Sequence, residues 1–189
     1  MPDASILLIS PPIFETRQLT SDVGLGFLAS ALRENLFRVD FIDIKRDLIS
    51  REELANRVRS GGYLMAGIKV FSSFVREANE VINAVKEADP NIKIVIGGPH
   101  ASYAKQDALR SCPKADVGVI GEGEKVVVDL ARRFENSQSI DDVEAICYRD
   151  GDTIRKNASS LWYKPCWYCL IWRGARYRGR HQPVPSICF

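Results

Sequence analysis

Two glycines, a proline and a histidine directly follow an apolar segment near the middle of the chain. The segment is residues 92–96, apolar except for Lys93, and the motif after it is Gly97-Gly98-Pro99-His100. This run predicts a strand that is covered on both faces of a sheet. In open α/β sheets the ligand crevice lies beyond the carboxyl ends of the strands. Bare glycine backbone at that place favours close contact with a large, flat ligand.

Three more short segments stand where other predicted strands end. They are Ser10-Pro11-Pro12, Phe71-Ser72-Ser73 and Gly121-Glu122-Gly123-Glu124. The two glutamates suit the positive end of the helix that follows them, and they would repel a phosphate there. Their role is therefore either helix initiation or shaping of a ligand pocket.

The end of the chain differs in charge from the rest. The net charge of +2 divides into −5 over residues 1–152 and +7 over residues 153–189. The basic segment also contains every Trp and a possible zinc set with the right donors, formed by Cys166, Cys169, His181 and Cys188. The spacing of the second pair of donors is wider than usual for zinc. A basic, aromatic segment could also contact nucleic acid, but no nucleic-acid-binding module is recognisable. Zinc binding and nucleic-acid binding therefore remain alternatives only.

The elements that must position these segments alternate regularly between strand and helix. Strands are predicted at residues 6–9, 39–44, 63–71, 92–96 and 116–120, with apolar helical periodicity between them. Helices are predicted over residues 22–35, from the capping box Ser50-Arg-Glu-Glu53, from Phe74, over 104–111 and after Glu124. The alternation predicts an α/β, doubly wound, five-stranded parallel sheet of Rossmann or flavodoxin type with strand order 2-1-3-4-5.

After the sheet, residues 145–154 predict a β-hairpin that turns at Asp150-Gly151. We expect a ligand-binding α/β domain over residues 1–136, a linker with this hairpin over 137–157, and an irregular basic tail over 158–189.

No apolar run reaches the length of a membrane helix, and no secretory signal is evident. Five cysteines, an odd number, favour free thiols or a metal over disulfides. A cytoplasmic protein is therefore expected.

Several known uses of such a sheet do not suit these residues. A phosphoacceptor site needs an acidic cluster after the first strand, where Ser10-Pro11-Pro12 stands, and a flavin phosphate needs N–H groups that these prolines lack. The stretch Gly24-x-Gly26-x-x-Ala29 satisfies a dinucleotide fingerprint, but 13 residues separate it from Ser10, whereas the fingerprint requires an immediate turn. Glycines that relieve helix packing against the sheet are the simpler interpretation.

Taken in order, these motifs resemble the N-terminal cobalamin-binding domain of cobalamin-dependent radical SAM enzymes. That family includes methyltransferases and the anaerobic magnesium-protoporphyrin monomethyl ester cyclase. The resemblance is carried by residues 6–12, 24–33, 39–44, 94–102 and 119–124, and it extends over about residues 4–157. It implies that cobalamin lies on the carboxyl edge of the sheet. The implied contacts are Ser10, Pro11, Pro12, Phe71, Ser72, Ser73, Gly97, Gly98, Pro99, His100, Gly121, Glu122, Gly123 and Glu124.

One departure from related cobalamin domains bears on the cobalt. Some of these domains carry D-x-H-x-x-G after the first strand, and its histidine ligates the metal. Residues 10–20 contain no histidine. The resemblance therefore implies cobalamin bound base-off, with no histidine ligand from that loop. His100 follows a different strand and is expected to be a hydrogen-bonding loop residue.

The resemblance also implies what the rest of such an enzyme supplies. Radical SAM chemistry needs C-x-x-x-C-x-x-C for an iron–sulfur cluster that binds S-adenosylmethionine, whereas this chain has Cys166-Trp-Tyr-Cys169 with Trp162 four residues upstream. We therefore expect a cobalamin-binding part of a radical SAM enzyme, inert alone, truncated or frameshifted before a catalytic domain that acts in cis or in trans. The alternative is a free-standing cobalamin carrier or sensor that docks a partner through its basic tail.

Overall fold

A computed structural model describes residues 4–12 and 22–158 of the 189-residue chain. Seven strands form one sheet: β1 Ser5–Ser10, β2 Arg38–Asp43, β3 Tyr63–Lys69, β4 Lys93–Gly97, β5 Val117–Val119, β6 Ile146–Asp150 and β7 Thr153–Lys156. Six helices accompany them: α1 Val23–Glu34, α2 Arg51–Gly61, α3 Val75–Ala88, α4 Pro99–Ala104, α5 Gln106–Ser111 and α6 Glu124–Glu135.

The order of the strands in the sheet is β2-β1-β3-β4-β5-β6-β7. Strands β1 to β5 are parallel to one another, which confirms the predicted doubly wound α/β class and the order 2-1-3-4-5. The predicted hairpin is also present, but it extends the same sheet because β6 pairs antiparallel with β5. The sheet consequently has seven strands rather than five.

The sheet is covered by helices on both faces. All six residues of β1 are buried, with Leu7 and Ile9 packed in one apolar cluster and Ile6 and Leu8 in the other. Helices α2 and α3 pack together in the first cluster, and α1 and α6 in the second. This burial explains why β1 is a continuous apolar run without alternation.

The helix ends explain how the chain enters these layers. Ser50 and Glu53 form the predicted capping box, so α2 begins at Arg51. The side chain of Asp22 accepts a hydrogen bond from the Leu25 amide and caps α1. The sequence predicted that Gly24 and Gly26 relieve packing of α1 against the sheet. This is wrong for Gly26, because a methyl group there would have none of the described residues within 4 Å.

The structure corrects the boundaries around the glycine-proline motif. The predicted helix over residues 104–111 is two short helices, and the first of them already begins at Pro99. Proline is well suited to the first turn of a helix, where its missing N–H is no loss. His100 therefore lies in α4, and the prediction that it belongs to a loop is wrong. Among the described residues, no helix is long and apolar enough to cross a bilayer.

Candidate functional site

The four segments that the sequence singled out lie at one edge of the sheet. Strands β1, β3, β4 and β5 run in register, with these residues paired along the row: Ile9, Ile68, Ile96 and Gly118. Each of these strands ends one residue further on. The predicted segments therefore follow neighbouring strand ends, and we call this region the carboxyl edge.

The turn from β4 into α4 depends on Gly98. Its φ of 91° lies in a region that favours glycine, and an added methyl group would lie 3.1 Å from Lys69 Cγ and 3.2 Å from the Val70 carbonyl oxygen. Val70 also joins the two strand ends, since its amide donates to Gly97 O and its carbonyl accepts from the His100 amide. The backbone of β3 and the start of α4 are thus held close together.

Gly97 differs from Gly98 in what surrounds it. A methyl group at Gly97 would lie more than 4 Å from every other side chain and backbone segment that the structure describes, and the φ of Gly97 is not in the left-handed region. Among the described residues, the space beside Gly97 is therefore open at the end of β4. A flat group could approach the backbone there without displacing any described side chain.

Both ring nitrogens of His100 have serine hydroxyls as partners. Nδ1 lies 3.0 Å from Ser72 Oγ, and Nε2 lies 2.9 Å from Ser111 Oγ. Burial lowers the pKa of His100, because a charged imidazolium loses hydration in this position. Neither nitrogen is directed at an open metal site in this arrangement. The neighbouring Ser73 is exposed in the same 3-10 turn, Ser72–Phe74.

A buried ion pair that sequence reasoning missed supports the end of β3. Lys69 Nζ lies 3.0 Å from Asp22 Oδ1, and the two side chains are only 9% and 8% exposed. Lys69 also lies over the Phe71 ring, 5.0 Å from its centroid. The pair connects the start of α1 to the carboxyl edge. The only sequence signal was a lysine that ends an apolar strand.

The edge beyond β5 is formed mainly by backbone. Gly121 has a φ of 81°, and its amide donates to Ser102 Oγ at 3.0 Å. Gly123 is the N-cap of α6, and Glu124 stands in the first turn of that helix. Glu122 is exposed. Glu124 thus occupies the helix-start position that its sequence context predicted, next to the positive end of the helix dipole.

At the end of β1, the carboxyl edge is formed mainly by proline residues and by backbone that belongs to the sheet. Ser10 and Pro11 are buried, and Pro12 is half-buried. The Ser10 carbonyl accepts a hydrogen bond from Ile44 N, so it belongs to the sheet. The prolines offer no N–H groups, which keeps this end unsuited to cradling a phosphate.

The structure also bears on metals and thiols. Within residues 4–12 and 22–158, no group of three or more His, Cys, Asp or Glu side chains is arranged to hold a metal ion. The alternative zinc donors Cys166, Cys169, His181 and Cys188 lie outside the described residues. Cys112 and Cys147 are free and buried, and burial raises the pKa of Cys147 to about 11. These two thiols are therefore protonated at neutral pH.

Two surface clefts lie away from the carboxyl edge. One, of about 500 Å³, is lined by α1 and α6 residues such as Glu34 and Arg132. The other, of about 410 Å³, lies between α2 and α3. Both are open and lined by charged side chains, and the segments predicted from the sequence contribute only Glu124 to the first cleft. The carboxyl edge, which combines open backbone with a few hydrogen-bonding side chains, is the better ligand site.

Comparison with known proteins identifies relatives that are longer than this chain. The chain is 28% identical to the anaerobic magnesium-protoporphyrin IX monomethyl ester cyclase of Cereibacter sphaeroides over 86% of its length and 29% of that protein. It is 26% identical to an uncharacterized methyltransferase of Pyrococcus horikoshii over 79% of its length and 34% of that protein. The chain thus spans about a third of the length of these relatives.

A solved structure has the same fold. The radical S-adenosylmethionine methyltransferase TsrM from Kitasatospora setae, with cobalamin and a [4Fe-4S] cluster bound, superposes with a TM-score of 0.73. The match has 18% identity and covers 82% of this chain and 30% of TsrM, so it shows the fold alone. The B12 binding domain family matches residues 11–131, which is more than half of the chain. The resemblance drawn from the sequence is therefore confirmed, and the chain belongs to the B12 binding domain family.

Proposed function

We propose that the carboxyl edge holds cobalamin, with the corrin ring against the bare backbone at Gly97. The observation that carries this proposal is the open space beside Gly97, next to a tight turn at Gly98. A corrin ring needs a flat approach to the backbone, and these residues fit it. The proposed contact set is Ser10, Pro11, Pro12, Phe71, Ser72, Ser73, Gly97, Gly98, Pro99, His100, Gly121, Glu122, Gly123 and Glu124.

The proposed binding mode is base-off, without a histidine ligand from the first loop. The chain contains two histidines, His100 and His181, and neither follows β1. Both nitrogens of His100 hydrogen-bond to serines, so this ring is not a free axial ligand. Bound cobalamin would supply a cobalt centre able to carry a methyl group. The residues of this chain would bind and orient it, and the glycines would permit its close approach.

We further propose that the chain is part of a radical SAM methyltransferase or cyclase and is inert by itself. Support comes from relatives that are named as a cyclase and as a methyltransferase and are about three times as long as the matched region. An iron–sulfur cluster and S-adenosylmethionine would then belong to a further domain, in cis or in trans. The ligand-binding domain would be residues 1–136, continued by the linker of residues 137–157, whose hairpin extends the same sheet, and followed by the basic tail over 158–189, in a cytoplasmic protein.

A second candidate is a free-standing cobalamin carrier or sensor. The net charge of +7 over residues 153–189, with no acidic residue after Asp152, favours a partner with an acidic surface. Limited proteolysis distinguishes the two: protection of the tail by an added partner supports the carrier. Cleavage of the tail at the same rate with and without every candidate partner contradicts it.

The experiment that tests cobalamin binding is anaerobic incubation of the chain with hydroxocobalamin, followed by desalting and an absorbance spectrum. Retention of corrin in about equal amount to protein, with base-off bands, is the expected result. The Gly97→Val variant should retain less corrin than wild type, because the valine side chain would occupy the open space. Loss of corrin from folded wild-type protein would contradict the proposal, and base-on bands would contradict the binding mode.

A further inference from the structure

The break between α4 and α5 has an unusual backbone conformation. Lys105, which separates the two helices, has a φ of 54° and a ψ of −117°. These angles belong to the first central residue of a type II′ turn, a position that glycine dominates. A lysine in this conformation is strained, and such strain persists only where the surrounding structure holds it. Contacts from elsewhere in the fold must therefore hold this break.

The hairpin β6–β7 supplies two such contacts. The side-chain amide of Gln106 donates a hydrogen bond to the carbonyl oxygen of Ile154 in β7, at 2.9 Å. The sulfur of Cys147 in β6 lies 3.3 Å from the carbonyl oxygen of Lys105, a weaker contact because thiols are poor donors. We call these two contacts the hairpin latch. The residues on both sides of the break are thus bonded to the hairpin, with the Gln106 bond the stronger of the two.

Helix α4 connects the break to the carboxyl edge. It has six residues, so Lys105 lies about 9 Å along the helix axis from the start of α4. Within α4, the His100 amide donates to the Val70 carbonyl oxygen at the end of β3. Ser102 Oγ accepts a hydrogen bond from the Gly121 amide beyond β5. A movement of α4 would therefore change the spacing of the loops that follow β3, β4 and β5.

We infer that Gln106 is a positioning residue, whose bond to the hairpin holds α4 where the carboxyl edge can bind cobalamin. This inference rests on the proposed function and identifies a control on the same site from the other end of α4. Without the Gln106 bond, fewer contacts oppose the strain at Lys105, so the break relaxes and α4 moves. Because strain offsets much of what the hairpin latch contributes, the loss of one bond opens the latch in a large fraction of molecules.

Amide hydrogen exchange tests this connection without any ligand. Gln106→Met keeps the length of the side chain and removes its donor. The amides of β7 and the His100 amide should both exchange roughly two- to tenfold faster, whereas the Leu54 amide in α2 should not change. Gln138→Met, at an exposed glutamine beyond α6, is the matched control and should change none of them. An unchanged His100 amide in Gln106→Met would overturn the inference.

Titration with hydroxocobalamin, followed by absorbance, tests the consequence for binding. Gln106→Met should weaken binding roughly two- to fivefold, because only molecules with a closed latch bind well. Gln106→Lys, which again places a donor beside the Ile154 carbonyl, should restore the affinity. Since such coupling is reciprocal, saturating hydroxocobalamin should also slow exchange of the β7 amides in wild type. Wild-type affinity in Gln106→Met would overturn the inference.

A second substitution separates positioning from a simple loss of structure. Lys105→Gly removes the strain without replacing any contact. In the Gln106→Met background, Lys105→Gly should therefore restore the affinity and slow exchange of the His100 amide again. Ser137→Gly, at another described residue with a positive φ, is the matched control and should restore neither. If Lys105→Gly fails to restore the affinity, relaxation of this break is not what weakens binding, and the inference is wrong.

Failure of the proposed function gives a different result from failure of this inference. In the first case the folded wild-type chain loses corrin, while Gln106→Met still accelerates exchange of the His100 amide. In the second case wild type retains corrin, and Gln106→Met leaves that amide or the affinity unchanged.

Discussion

At the ends of β3 and β4, polar side chains bond to one another, whereas the ends of β1 and β5 present mainly proline and glycine backbone. The first half contains the Lys69–Asp22 pair and the hydrogen bonds of His100 to Ser72 and Ser111. In the second half, Pro11 is buried and the Gly121 amide donates to Ser102. The β3–β4 half is thus organised before any ligand binds. In that half, substitutions of the bonded side chains or of Gly98 should change stability as well as binding, whereas a substitution that fills the open backbone at Gly97 should change binding alone.

The largest expected effect comes from the buried ion pair. Lys69→Met leaves the Asp22 carboxylate buried without its cation, which should cost about 3–5 kcal/mol of unfolding free energy. In the double variant with Asp22→Asn, asparagine still caps α1 and no lone charge is buried, so most of the stability should return. Urea denaturation of the single and double variants measures this.

The matched control is an exposed pair on α3. Arg76 and Glu80 lie 3.2 Å apart, with side chains 85% and 59% exposed. Arg76→Met should change the unfolding free energy by less than about 0.5 kcal/mol, because water screens such pairs. If Lys69→Met costs no more than Arg76→Met, the β3–β4 half is not held by its buried charges.

The second effect separates two adjacent glycines. Gly98→Ala places a side chain at a φ of 91°, against Lys69 and the Val70 carbonyl. Such strain should cost about 1–3 kcal/mol. Gly97→Ala meets nothing within 4 Å and should stay within about 0.5 kcal/mol of wild type. Denaturation midpoints of the two variants, measured without ligand, test this difference in stability. Equal midpoints would mean that Gly98 is no more constrained than Gly97.

The strand order and the hairpin show which features of the fold the sequence could predict. The strand order was predictable because apolar runs alternate with helical periodicity, and that alternation leaves few topologies. The hairpin was predictable from Asp150-Gly151, but its pairing partner was not. Pairing of β6 with β5 depends on which edge of the finished sheet remains open, and the hairpin itself contains no sign of that.

The site shows the same limit at smaller scale. Gly97 and Gly98 were recognisable because their types are informative, whereas Lys69 and Asp22 stand 47 residues apart and meet only in the folded chain. The start of α4 was missed because Gly-Gly-Pro-His is typical of a loop. Proline nevertheless suits a helix start, and the positive φ of Gly98 lets the chain turn into it at once.

The third effect concerns binding rather than stability. Gly97→Ala should weaken hydroxocobalamin binding at least about tenfold, since a methyl group would hold the corrin away from the backbone. Equilibrium titration followed by absorbance measures this, with Ser60→Ala as the control at the far edge. Because Gly97→Ala is expected to leave the free protein's stability unchanged, a loss of affinity would not reflect a loss of fold. Unchanged affinity would mean that the ligand does not lie on Gly97.

The smallest effect is a pH dependence that arises from His100. Burial lowers the pKa of this ring in the folded protein below the ordinary value of about 6.5. In that situation the unfolded state binds more protons than the folded state, so stability falls as the pH drops through about 6.5 toward the folded pKa. The contribution of His100 to the unfolding free energy is fully present above that pH window. His100→Gln should lack this component, so its stability should decline less than that of wild type between pH 7.5 and 5.5.

His181→Gln is the control for this last measurement, because it removes an imidazole outside the described residues and should retain the wild-type slope. The comparison also bears on the hydrogen bonds of His100 to Ser72 and Ser111. A neutral imidazole donates from one nitrogen and accepts at the other, so protonation makes both nitrogens donors and reverses one of these hydrogen bonds. Cobalamin affinity should therefore decrease over the same pH window in wild type and not in His100→Gln. Parallel slopes in all three proteins would mean that His100 is titrated as if exposed, and the β3–β4 half would then owe its order to the Lys69–Asp22 pair and the Gly98 turn.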